Sequence, residues 1–121
     1  MEPVYEVEEY VTKHGTTPFG QWLLSLKDKR AQAKLRARIT RATFGNFGDW
    51  KKISAAPGLC EMRDHYGSGY RIYYSIQNQK LILLLAGSTK KDQNKAIAQA
   101  KDRLVDYRAR TTNDGKEQPP K

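Results

Sequence analysis

The 121-residue chain has a single cysteine, Cys60, and two histidines, His14 and His65. One cysteine forms no intrachain disulfide, and these three side chains at unrelated spacings make no zinc-type ligand set, so neither a disulfide scaffold nor a metal-stapled fold is expected. No cofactor is implied. Long apolar runs are missing too: Leu81–Ala86 is the longest, far short of the roughly 20 residues of a membrane-spanning helix. The opening Met-Glu-Pro-Val-Tyr-Glu-Val-Glu-Glu has no basic leader ahead of an apolar core, so the expectation is a cytoplasmic chain with no secretory signal and no membrane partner. Acidic residues are the minority charge, 13 Asp and Glu against 22 Lys and Arg, for a formal charge of +9. Such an excess attracts polyanions: nucleic acid, an anionic surface or an acidic protein.

A hydrophobic fraction of 38% with 10% aromatics supports one modest core, and the length suits one domain. Val4–Val11 reads as a first strand, broken by His14-Gly-Thr-Thr. Thr17-Pro18 reads as a cap and first helical residue, with Phe19, Trp22, Leu23 and Leu26 following at helical spacing. Asp28 is suited to cap a second helix whose buried stripe is Ala31, Leu35, Ile39 and Ala42. Lys34, Arg36, Arg38 and Arg41 on its other faces are either solvated or engaged with RNA or a partner. Gly45-Asn-Phe-Gly-Asp ends that helix.

Strand alternation then orders the rest. In Leu59–His65, Cys60 and Met62 face the core while Glu61, Arg63 and His65 face away. After the turn at Gly67-Ser-Gly, Tyr70, Ile72, Tyr74 and Ile76 face the core, opposite Arg71, Tyr73 and Ser75. Arg63, His65, Arg71 and Tyr73 therefore share one surface. Leu81–Ala86, apolar on both faces, suits a covered central strand. Thr89-Lys-Lys-Asp92 resembles a capping box, and Ile97, Ala100, Leu104 and Tyr107 stripe a closing helix to about Arg110. The expected organisation is an α+β domain over residues 1–110, with two helices packed on a largely antiparallel sheet and a third closing the chain, then a polar tail at 111–121 too apolar-poor to fold.

Five segments in series carry a family resemblance: Phe19-Gly-Gln-Trp-Leu-Leu-Ser-Leu-Lys-Asp, Gly45-Asn-Phe-Gly-Asp, Leu59-Cys-Glu-Met-Arg, Tyr66-Gly-Ser-Gly-Tyr-Arg-Ile-Tyr-Tyr and Leu83-Leu-Leu-Ala-Gly-Ser-Thr-Lys-Lys-Asp-Gln. Together they resemble the phage-derived Gp49-like/HigB group of addiction-module killer proteins, within the RelE/ParE toxin superfamily. The resemblance covers about Val4 to Tyr107. It implies a microbial-RNase-like fold and the toxin of a type II toxin-antitoxin system, an mRNA endoribonuclease acting on translating ribosomes and restrained by a cognate helix-turn-helix antitoxin. It also implies that Arg71, Arg63 and the Lys90-Lys91 pair serve the cleavage site. A ParE-like inhibitor of DNA gyrase and a non-catalytic module binding RNA or antitoxin remain as alternatives.

The chemistry has its own logic. Metal-free RNA cleavage needs a base for the 2′-hydroxyl, a cationic clamp for the phosphorane and a proton for the leaving 5′-oxygen. Arg63 and Arg71 suit the clamp because a guanidinium offers two parallel donors and stays charged; the bland alternative is surface ion pairing to Glu61 or Asp64. His65 is a proton-transfer candidate, since histidine changes charge near neutrality, or else a bystander at a strand end. Tyr73 is placed to donate to or stack on the nucleotide. RelE's closing helix carries a tyrosine near its start, where this chain has Ala96 and Ile97, so RelE's acid and base assignment does not transfer. Lys90 and Lys91 near a helix start favour an anion. Lys51 and Lys52 are candidate RNA contacts beside Trp50, itself expected as a core anchor. Cys60 reads as a small core hydrophobe.

Overall fold

Pro18 opens the first helix because its missing N–H costs nothing there, and Asp28 caps the second by accepting from the backbone N–H of Arg30 and Ala31. The computed structural model describes residues 2–117. In chain order the elements are β1 (Glu6–Glu9), α1 (Pro18–Ser25), α2 (Lys29–Thr43), β2 (Trp50–Lys52), β3 (Cys60–Asp64), β4 (Tyr70–Gln77), β5 (Leu81–Thr89) and α3 (Gln93–Glu117). The α+β class expected from the sequence is what these three helices and one sheet make.

The sheet has five strands in the order β1-β5-β4-β3-β2. β2 through β5 run antiparallel, while β1 pairs with β5 in parallel, so the sheet is mixed. The sequence predicts neither that parallel strand order nor β2. At the tip joining β4 to β5, Asn78 and Gln79 take positive φ of 54° and 62°, the handedness a tight hairpin between twisted strands requires.

The helices divide between the two faces. α1 and α2 bury Phe19, Leu23, Ala31 and Leu35 against Met62, Ile72, Tyr74, Ile82 and Leu84. α3 lies on the opposite face and buries Ala96, Ala100 and Leu104 against Tyr73, Leu83, Leu85 and Ala86. The alternating pattern of β5 changes step in the middle: Tyr73 pairs with Ala86 and Tyr74 with Leu84, leaving Leu85 as a bulge. Its carbonyl, lost to the ladder, accepts from the Arg103 guanidinium of α3 at 2.7 Å.

α3 continues to Glu117, past Arg110 where the sequence predicts its end; of the tail expected to be disordered, residues 118–121 lie outside the described residues. Its start also differs from a capping box. The helix begins at Gln93, and the carboxylate of Asp92 accepts from both the backbone N–H and the hydroxyl of Thr89. Among the described residues no helix is long and apolar enough to cross a membrane.

Candidate functional site

Strand register builds two adjacent rows of side chains on the α3 face. Arg63 stands opposite Arg71, and Arg71 opposite Ser88; on the far side the N–H of Arg63 donates to the carbonyl of Asp49. Asp49, Arg63, Arg71 and Ser88 thus form one row. Two residues along, Lys51, Glu61, Tyr73 and Ala86 form the second. Like charges directly opposite one another on a sheet repel, so the Arg63–Arg71 pair needs an anion.

Two carboxylates of the chain answer part of that need. Asp49 Oδ1 accepts from Arg63 Nη2 at 2.7 Å, and its Oδ2 lies 2.9 Å from His65 Nε2. The Arg63 guanidinium, with the His65 imidazole behind it, holds the Asp49 carboxyl below the usual carboxylate range; the same bond to Asp49 raises Arg63. Glu61, with a side chain only 2% exposed, lies 3.8 Å from Arg71 Nε, close enough for an ion pair and too far for a hydrogen bond. Glu61 Oε2, Arg63 Nε and Arg71 Nε are buried without a hydrogen-bond partner among the described residues. The row therefore keeps unsatisfied donors beside a buried acceptor.

The row is braced from the other face by Arg38 of α2. Its guanidinium donates to the carbonyl oxygens of Arg63 and of Phe47, the latter at 3.0 Å, and lies 3.7 Å from Asp64 Oδ2. Gly48, at φ +61°, is where a side chain has no room: a Cβ there would stand 2.9 Å from Arg38 Nη2. The Gly45-Asn-Phe-Gly-Asp loop is thus folded around an arginine, and its last residue is delivered to Arg63 and His65.

The sequence-predicted residues separate into three groups. Arg63, His65, Arg71 and Lys51 share the α3 face, with Lys90 and Lys91 exposed at its edge, where the Lys90 N–H donates to the carbonyl of Gly69 at 3.1 Å. Tyr73 lies on that face but is wholly buried beneath α3, its hydroxyl 3.0 Å from Ser88 Oγ. It packs the floor and does not stack on a ligand, and burial pushes its phenol up. Lys52 pairs with Cys60 and so points to the other side of the sheet, as does Trp50 opposite Met62. Trp50 is 46% exposed, not the core anchor expected.

Sequence reasoning passes over Asp49, weighs Glu61 only as a surface ion-pair partner, and groups Arg38 with the solvated or RNA-binding cations of α2, whereas it is buried on the helix's core face and spent on backbone carbonyls. The signal for Arg38 is its place on the apolar stripe, between Leu35 and Ala42, and its guanidinium meets the Phe47 and Asp49 carbonyls of the two-glycine loop. Among the described residues no group of three or more His, Cys, Asp or Glu is gathered closely enough to hold a metal ion.

An uncharacterized protein of Haemophilus influenzae is 49% identical to this chain over 86 residues, which is 71% of this chain and 85% of that protein. No family model matches the chain.

Proposed function

The chain belongs to one family with that Haemophilus influenzae protein, and we propose that it is an mRNA endoribonuclease, the toxin of a type II toxin-antitoxin pair with the microbial-RNase-like arrangement its motifs resemble. The observation that carries this reading is the direct opposition of Arg63 and Arg71 across β3 and β4. Two guanidiniums so placed offer donors to one phosphate, whose negative charge grows as the phosphorane forms.

In the proposed reaction His65 donates Nε2–H to Asp49, leaving Nδ1 as an acceptor. That nitrogen takes the proton of the ribose 2′-hydroxyl, the 2′-oxygen attacks the adjacent phosphorus, and the bond to the 5′-oxygen breaks. Arg63 and Arg71 hold the non-bridging oxygens throughout. Lys90, an ammonium at the edge of the row, supplies the proton to the departing 5′-oxygen, and Lys91 and Lys51 hold flanking phosphates. Glu61 keeps the Arg71 side chain aimed along the sheet. The reaction needs no metal and no cofactor. Its setting is the cytoplasm, on translating ribosomes, and its restraint is a helix-turn-helix antitoxin with acidic side chains for the basic face.

The test is incubation of purified protein with translating ribosomes, followed by mapping of mRNA ends. Cleavage is expected, and Arg71→Ala should slow it about a hundredfold, the usual loss for one oxyanion donor. Intact message overturns the reading; intact message together with inhibited gyrase supercoiling replaces it with a gyrase poison.

A further inference from the structure

β2 is an edge strand whose three residues are all exposed, and its side chains part company: Lys51 turns to the Arg63 face, Trp50 and Lys52 to the other. Beside Trp50 and Lys52 the sheet is open, because α1 and α2 cover its centre and leave this corner bare. A cavity of about 340 Å³ lies there, lined by Tyr5, Phe47, Trp50, Lys52, Cys60 and Tyr74 among others. Its wall is ordered. Phe47 stacks on Tyr74 with ring centroids 5.5 Å apart and an interplanar angle of 17°, and Tyr5 meets Phe47 edge-on at 5.4 Å. Among the described residues no carboxylate lines the cavity, and its charged member is Lys52.

An aromatic recess with one cation at its rim matches a nucleobase carrying a phosphate, since every base has a face to stack and every linkage an anion. We infer that this cavity is a base-stacking subsite for single-stranded RNA that crosses the β2 edge, with Trp50 stacking one base and Lys52 and Lys51 holding the backbone on either side of the strand. The subsite rests on the RNA-cutting role proposed for Arg63 and Arg71, and it lies on the opposite face of the sheet from them. It gives the substrate a path around β2 from one face to the other. The net charge of +9 and the absence of acid from the recess favour a polyanion over a polypeptide occupant.

The test is titration of tryptophan emission with a 2′-O-methyl oligonucleotide of about ten nucleotides, a length within the range that single-stranded binding sites span; the blocked 2′-oxygen prevents cleavage. The wild type should bind and be quenched. Trp50→Phe, which leaves Trp22 as the emitter, should bind without that quenching, and Trp50→Ala should bind at least about tenfold more weakly, the ordinary loss for one stacked base. Lys52→Glu should weaken binding with Trp50 in place, guarding against a folding defect in the alanine variant, and circular dichroism checks each fold. Wild-type affinity in both Trp50→Ala and Lys52→Glu overturns the inference. So does binding with unaltered Trp50 emission, which would leave the cavity to a polypeptide, and so does failure of the wild type to bind. Quenching without cleavage of unmodified RNA would remove the nuclease reading and keep the subsite; cleavage with wild-type affinity in both Trp50→Ala and Lys52→Glu would do the reverse.

Discussion

Asp49 holds Arg63 at both ends: its backbone carbonyl accepts from the Arg63 N–H at 2.8 Å, and its carboxylate accepts from the guanidinium at 2.7 Å. The backbone bond fixes the strand and the side-chain bond fixes the charge. Separating the two is a matter of one atom.

Asp49→Asn keeps the backbone bond and removes the charge that steadies Arg63 and His65. Single-turnover RNA cleavage should fall about tenfold, or roughly 1.4 kcal/mol of activation free energy, with no change in circular dichroism. Cleavage at the wild-type rate would show that neither Arg63 nor His65 depends on the carboxylate.

The same bond sets a pH dependence. The Asp49 carboxyl is held below its ordinary value of 3.8, so its contribution to stability is complete above that pH and is lost as the pH falls through the depressed folded value. Urea midpoints of wild type and Asp49→Asn should differ at neutral pH and converge in acid below about pH 3.8. A difference that persists undiminished to the lowest pH would exclude the ion pair as its source.

Arg38→Lys should destabilise the fold by about 2–4 kcal/mol, because a point-charge ammonium cannot reach the carbonyls of Arg63 and Phe47 together and leaves at least one unsatisfied. Denaturant unfolding measures the loss. The variant should also lose cleavage when still folded, because the loop bearing Asp49 is tied through the same guanidinium.

Gly87 lies under Trp22, and a Cβ at Gly87 would overlap the indole ring. Gly87→Ala should therefore cost about 1–3 kcal/mol or more in overpacking. Thermal melts should show the cost shrink when Trp22→Leu is added, a coupling that independent sites would lack.

At alkaline pH the buried phenols decide stability. Burial raises Tyr73, and raises Tyr74 further still, above the ordinary value of 10.0. Groups raised in this way lend stability that is intact below pH 10 and declines as the pH climbs from there toward the folded values. Ultraviolet titration should show these phenols ionising only with loss of near-ultraviolet circular dichroism; smooth titration of all seven tyrosines in a folded protein would contradict their burial.

Much of the site is legible in the sequence, and what is not has specific physical causes. Alternation within β3 and β4 places Arg63, Arg71 and Tyr73 on one face, a local rule that needs no tertiary information. That Tyr73 is covered depends on which face α3 chooses. Leu81–Ala86, apolar on both sides, already demanded a cover for each face, but did not say how far along the strand that cover reached. β2 is not legible in the sequence because Trp50-Lys51-Lys52 has neither length nor alternation, and it exists as a strand through its pairing with β3. Asp49 entered the site with it. Arg38 falls at i+7 from Ala31 and i+3 from Leu35, on the buried stripe and away from Arg36 and Arg41; its charge reads as solvated, and the loop carbonyl nine residues away in sequence that satisfies it is a tertiary contact no periodicity reports.

The bulge at Leu85 keeps β5 in phase with two partners at once. Upstream, Leu83 faces α3 and Leu84 faces α1 and α2; downstream, Ser88 still stands beside Tyr73 and Gly87 still lies beneath Trp22. Were the ladder unbroken with Leu85 inside it, Ser88 and Gly87 would exchange sides, taking Ser88 out of the arginine row and turning Trp22 against a side chain. Leu85 is the spare tooth in this rack: removing it closes the ladder with every other residue on its present face, at the cost of a hole under α3 and an idle Arg103. The length of β5 and the identity of the face it presents are thus separable, and the strand can be shortened at that one point without moving its functional end out of register.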